Sequence, residues 1–209
     1  MPYPDWRNIA QLRFPELMQL YRPEAASHVA HFYQDDRVVI ENIVDLARKA
    51  LDCGSSVVLV ATKDHLREIF QRIGPKLDLE SLRAKRRYIA ADAAQALSRL
   101  MLHGCPDETK FNEVIGATII QAAKRSTNDF VLAFGEMVAL LCAEDKPDAA
   151  WLLERFWNRL ACRQPLSLYC VYSLDCLDTE RTFDHIVRLS AEHNLVVPSE
   201  LVGLSVKSP

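Results

Sequence analysis

His28-Val-Ala-His-Phe-Tyr-Gln-Asp-Asp36 is followed at once by Arg37-Val-Val-Ile-Glu-Asn-Ile-Val-Asp-Leu-Ala47. The first part is a β-rich run, the last part is amphipathic, and the junction has the strand–loop–helix layout of a nucleotide-binding start. The loop chemistry is wrong for that role. A phosphate loop needs glycines and a lysine so that bare N–H groups and one cation meet the anion. This junction supplies Gln34, Asp35 and Asp36 instead. Two carboxylates there repel a polyphosphate, whereas both suit a helix start, where they satisfy orphan N–H groups and the positive end of the dipole. One of them, Asp35, is assigned as the cap, which leaves Asp36 to face a ligand.

Outward from this point the same alternation repeats. A strand over Val29–Tyr33 leads to a helix from about Val38 to Cys53, with Ile40, Ile43, Val44, Ala47 and Leu51 on one face and an Asp45–Lys49 pair on the other. Gly54 sits where a C-terminal glycine cap belongs. Val57-Val-Leu-Val-Ala61 is a continuous apolar run, the mark of a strand buried on both faces. Thr62 caps the next helix, which turns Leu66, Ile69, Phe70 and Ile73 inward and stops at Gly74-Pro75. Further strands are expected at Tyr88–Ala91, Phe130–Phe134 and Leu166–Tyr172, with Leu195–Val197 as a closing edge. Helices are expected after each, including one with Ala149, Leu152, Leu153, Phe156, Trp157 and Leu160 on one face and one over Asp178–His193 with Phe183, Ile186 and Val187 inward. Such alternation implies a parallel sheet with right-handed crossovers: an α/β three-layer sandwich. Residues 1–27 form an arm, 28–198 a single domain and 199–209 a tail.

The bulk numbers narrow the function. The chain has 209 residues, is 49% hydrophobic and 25% charged, and carries a net charge of −3 with a pI near 6.1. No global field draws it to nucleic acid or to an anionic membrane. The basic cluster Arg83-Ala-Lys-Arg-Arg87 reads as a solvated helix end. The N-terminus lacks the layout of a signal peptide, and the most apolar stretch, Phe130–Ala143, is interrupted by Glu136 and too short to span a bilayer. Six cysteines without a C-x-x-C pair read as reduced thiols, and the expected setting is cytoplasmic.

The six glycines argue against whole classes of enzyme. The closest two, Gly104 and Gly116, are twelve positions apart, so neither a P-loop nor a dinucleotide fingerprint can be assembled, and no G-x-S-x-G elbow exists. Ligands in open parallel sheets settle beyond the C-terminal strand ends. Tyr33, Asp36, Glu136, Met137 and Tyr172 all lie at such ends. Glu136 has the place of a magnesium-binding acid after a buried strand, or of a carboxylate bonded to a helix start. His28 and His31, three apart on a strand, face opposite sides and cannot share one ion, so no metal is expected. His28 is instead polar lining for a pocket.

The span from His28 to Pro198 resembles the MEDS domain, a sensory domain of methanogens and methylotrophs of the DcmR type. The resemblance is carried by His28–Tyr33 with Asp35-Asp36, by Val57–Ala61, by the turn Phe134-Gly-Glu-Met137, by Tyr169-Cys-Val-Tyr172 and by Glu192-His-Asn-Leu-Val-Val-Pro198. It implies a RecA- and KaiC-like fold whose phosphate loop is lost, and a sensory role toward small hydrocarbon-derived ligands. This chain has His31 where many members have glutamine, and the expectation is a domain that stands alone, without the kinase, PAS or helix-turn-helix region of other members. The expectation is therefore a non-enzymatic sensor without a cofactor. Its pocket would use His28, Tyr33, Asp36, Glu136, Met137 and Tyr172, and its output would pass through a separate histidine kinase or transcription regulator. The Trp151–Leu160 face serves a homodimer or a core equally well. Two rivals stand beside this reading: a ligand-free interaction module, and a nucleotide enzyme built from Glu136 and Arg83–Arg87.

Overall fold

The computed structural model describes residues 27–74, 77–174 and 182–198. The expected arm and tail, and Cys176, lie outside them. Strands β1 (Ser27–Tyr33), β2 (Ser56–Ala61), β3 (Tyr88–Asp92), β6 (Val131–Gly135), β7 (Leu166–Ser173) and β8 (Leu195–Pro198) form one sheet in the order β3-β2-β6-β7-β1-β8. Every pairing in it is parallel. The opening stretch is thus an inner strand, with Val29 opposite both Tyr169 and Leu195.

Alternation along each strand divides the core in two. One face takes Ala30, Phe32, Val58, Val60, Ala133, Leu168, Cys170 and Tyr172. Over it pack α4 (Ala93–Leu100), α7 (Met137–Ala143), α8 (Pro147–Ala161) and a helical run, Glu108–Ala123, whose middle, Asn112–Gly116, widens into a π turn. The other face takes Val29, Tyr33, Val57, Leu59, Phe134, Tyr169 and Val171, under α1 (Asp36–Asp52), α2 (Lys63–Ile73) and the short α3 (Leu79–Ala84). Three layers result, as the alternation predicts. Helix α9 (Thr182–Ala191) joins the first face through Leu189.

Local signals explain the boundaries. Asp35 Oδ1 accepts from Arg37 N at 2.9 Å, so Asp35 is the cap and α1 starts at Asp36, two residues before the expected point. Gly54 has φ +91°, and a Cβ there would meet Thr127 Oγ1 at 2.0 Å, so the turn out of α1 admits only glycine. Thr62 caps α2 through its hydroxyl. All six residues of β2 are buried, as the unbroken apolar run requires.

Two inward assignments fail. Phe70 is 42% exposed, and its ring carries the Arg83 guanidinium 4.6 Å from the centroid. A cation on the ring face replaces core packing there. Val187 is 51% exposed because Leu189 holds the inward place on α9, and the side chain of Phe183 lies outside the described set. Between α4 and the helical run at Glu108 stands a small hairpin, β4 (Met101–Leu102) with β5 (Cys105–Pro106), turned by His103 and Gly104 at positive φ. The apolar face of α8 serves the core: Leu153, Phe156, Trp157 and Leu160 are buried in it. Among the described residues, no helix is long and apolar enough to cross a membrane.

Candidate functional site

Glu136 follows β6 directly, and its carboxylate turns back over the C-terminal edge of the sheet. Oε2 accepts from Thr62 N at 2.6 Å, and Oε1 meets Nδ1 of His65, one turn into α2. His65 Nε2 lies 3.5 Å from Asp36 Oδ1 at the start of α1. Three segments that leave different strands are joined in a line, Asp36–His65–Glu136. Glu136 is 3% exposed and His65 9%, whereas the Asp36 carboxylate is 67% exposed, so the line runs from the interior to water. Burial opposes a charge on His65, but the hydrogen bond and charge of Glu136, helped by Asp36, outweigh it and raise its pKa. A negative charge at the first N–H groups of α2 also complements the helix dipole.

A cleft of about 430 Å³ opens beside this line, at the ends of β2 and β3. Its lining is Thr62, Lys63, Asp92, Ala94, Gln95, Ser98 and Leu140. Lys63 Nζ stands 3.9 Å from Asp92 Oδ2. Thr62 belongs both to the cleft and to the Glu136 contact.

The expected pocket residues do not share one place. Asp36 and Glu136 come together through His65, which the sequence reading missed. Tyr33 and Tyr172 are buried in opposite layers of the sandwich, so no single pocket takes both. Met137 is 1% exposed and belongs to the core. His31 is also buried, hydrogen-bonded through Nδ1 to the Tyr169 hydroxyl at 2.7 Å, and burial lowers its pKa to about 4. The basic cluster precedes β3, while Glu136 follows β6. In a parallel sheet these are opposite edges, roughly 15 Å apart at the rise of a strand. Arg87 is spent on the carbonyls of Leu51 and Ser55.

His28 and Tyr172 meet elsewhere, around a fully buried Glu154 on α8. The Tyr172 hydroxyl donates to Glu154 Oε1, and His28 Nε2 lies 3.2 Å from Oε2. Cys170 and His193 complete the group: its four potential ligand atoms, from His28, Glu154, Cys170 and His193, lie within 4.8 Å of one another. The sequence carries no metal-ligand spacing, because the four positions are brought together only by the sheet and two helical connections.

The model of the family described as MEDS, the MEthanogen/methylotroph, DcmR Sensory domain, matches residues 27–189. That is most of the chain, and the chain belongs to this family. No curated protein matches it.

Proposed function

We propose that this MEDS-family chain senses a small organic molecule in the cleft at the C-terminal edge and passes the signal to a separate kinase or transcription regulator. The sensory role follows from the family. One observation carries the ligand reading: an open cleft shares Thr62 with a buried carboxylate line that reaches two further helix starts. A ligand that displaces Thr62 or Lys63 changes the hydrogen bond to Glu136 and, through His65, the setting of α1. The lining suits a small amphiphile, with Lys63, Asp92, Gln95 and Ser98 for its polar end and Ala94 and Leu140 for its carbon chain.

The reading is non-enzymatic and cofactor-free. Both oxygens of Glu136 are engaged by the protein, and the N-terminus of α2, where a phosphate would bind, is taken by that carboxylate. A RecA-like ancestry with the phosphate loop lost fits this arrangement, as does a cytoplasmic setting. The same internal filling also favours the second reading, a ligand-free interaction module.

Thermal melting separates them. Short-chain alcohols and halogenated organics are tested beside ATP, ADP and GTP with magnesium. A ligand at a hundred times its Kd stabilises by about 2.7 kcal/mol, or several degrees for a chain of this length. The expected result is a shift with an organic compound that Gln95→Ala removes. A magnesium-dependent nucleotide shift would sink the sensory pocket, and no shift across the panel would favour the interaction module.

A further inference from the structure

We propose that His28, Glu154, Cys170 and His193 form a binding site for a zinc-class divalent metal ion, inside the helical layer and apart from the edge cleft. The four come from four segments: His28 from β1, Glu154 from α8, Cys170 from β7 and His193 from the turn after α9.

Hydrogen bonds behind the ligands set their orientation. Asn158 Nδ2 donates to Glu192 O and Oε2, which fixes the amide and leaves Oδ1 to accept from His28 Nδ1 at 2.8 Å. His193 Nδ1 donates to the Leu189 carbonyl at 2.7 Å. With both Nδ1 atoms donating outward, each ring presents its Nε2 to the cluster, where His28 Nε2 faces Glu154. This is the arrangement by which outer partners orient metal-ligating histidines. Glu154 has one oxygen bound to the Tyr172 hydroxyl. The other, Oε2, is buried, faces His28 Nε2 at 3.2 Å and has no second donor. A carboxylate held in a dry layer needs charged or donating partners on both oxygens, and a cation at Oε2 supplies one.

Geometry and charge agree on the ion. Tetrahedral bonds of about 2.0–2.3 Å place ligand atoms roughly 3.3–3.8 Å apart. His28 Nε2 to Glu154 Oε2 is 3.2 Å and His28 Nε2 to Cys170 Sγ is 3.4 Å, and all four ligand atoms lie within 4.8 Å of one another. A small closure of the His193 turn completes the set. On binding, the Cys170 thiol proton and the His28 Nε2 proton that faces Glu154 leave to solvent, and thiolate plus carboxylate then neutralise the dication without net buried charge. Two imidazoles, one thiolate and one carboxylate suit zinc rather than calcium or magnesium, which take oxygen ligands. Four protein ligands describe a closed, structural site, one that fastens the turn before β8 to the sheet.

The test uses the full chain after chelator treatment, titrated with Co2+ as a spectroscopic stand-in and with Zn2+ alone. The expected result is one ion per chain, with a thiolate-to-cobalt charge-transfer band and intense visible bands of tetrahedral cobalt, reversed by Zn2+. Cys170→Ser should abolish the charge-transfer band, and His193→Gln, outside the strands, should weaken binding at least tenfold, while Cys162→Ser changes neither. Circular dichroism confirms that each variant is folded. Absence of stoichiometric binding to the wild-type chain would overturn the site. So would a charge-transfer band unchanged in folded Cys170→Ser, or affinity unchanged in His193→Gln.

Discussion

Two clusters in this molecule pair histidine with glutamate, and they stand in different surroundings. At the edge, His65 lies between buried Glu136 and an aspartate open to water. Inside, His28 and His193 surround a Glu154 with no exposed surface. There burial disfavours the Glu154 charge, but His193, His28 and the Tyr172 hydroxyl outweigh it and keep the carboxyl below its usual range. The same residue types therefore do different work. The edge pair sits where a ligand or solvent can alter it, and the inner pair ties strands to helices. Openness to solvent at the edge and enclosure inside set the two clusters apart.

Breaking the inner pair should cost most. Glu154→Ala leaves His28, His193 and Tyr172 without their common partner, a loss of about 3–5 kcal/mol for a buried ion pair deprived of one member. At roughly 2–4 °C per kcal/mol, its melting temperature should fall by about 6–20 °C. A fall no larger than that of Glu136→Ala would erase the distinction between the clusters.

His31 serves as the reference, buried like the inner group but facing no carboxylate in its hydrogen bond to Tyr169. Its pKa is about 4 against an ordinary 6.5, so the unfolded chain takes up its proton first as pH falls. The His31 contribution is complete above pH 6.5 and declines toward pH 4, by roughly 3 kcal/mol at about 1.4 kcal/mol per unit. In urea titrations His31→Gln should flatten that acid slope, and an unchanged slope would mean that His31 is not buried neutral.

At the edge the effects shrink. Glu136→Ala should lose about 2–3 kcal/mol in denaturant melts by orphaning Thr62 N and His65. Glu136→Gln should lose about half, since its amide oxygen still accepts from Thr62 N. Equal losses would mean that the carboxylate charge carries nothing. His65 runs opposite to His31: its pKa is raised, so its contribution is full below pH 6.5 and is lost as pH climbs through the folded value. The stability difference between the wild-type chain and His65→Gln should narrow as pH rises. Smallest of all, Lys63→Ala in the cleft should shift stability by no more than about 0.5 kcal/mol.

The same contrast explains what was legible in the sequence. The strands could be read because buried parallel strands are unbroken apolar runs, as at Val57–Ala61. Glu136 and Asp36 could be read because a polar residue directly after such a strand has a known place. His65 could not, since a single histidine in the first turn of a helix has the appearance of a surface residue. Glu154 left a faint signal: it stands on the inward stripe Ala150, Leu153, Trp157 of α8, where a charge is out of pattern. His28, Cys170 and His193 left none as a group, because only the strand order brings them together. The Tyr33–Tyr172 pocket failed for a simpler reason. Nearness to strand ends does not specify which face of the sheet a side chain takes, and register decides that.

That strand order also sets a timetable. Among the described strands β1 is hydrogen-bonded to β7 and β8, which both follow β2, β3 and β6 in the chain. Its partners are made some 140 residues later, as Val29 opposite Tyr169 shows. During synthesis β2, β3 and β6 can associate while the first strand waits, its apolar residues uncovered, until residues 166–198 emerge. Contacts this distant in sequence slow folding and prolong exposure to aggregation. The stretch that first discloses the fold to a reader is thus among the last to be fixed in space, and a nascent chain cut short before residue 166 leaves it with nowhere to dock.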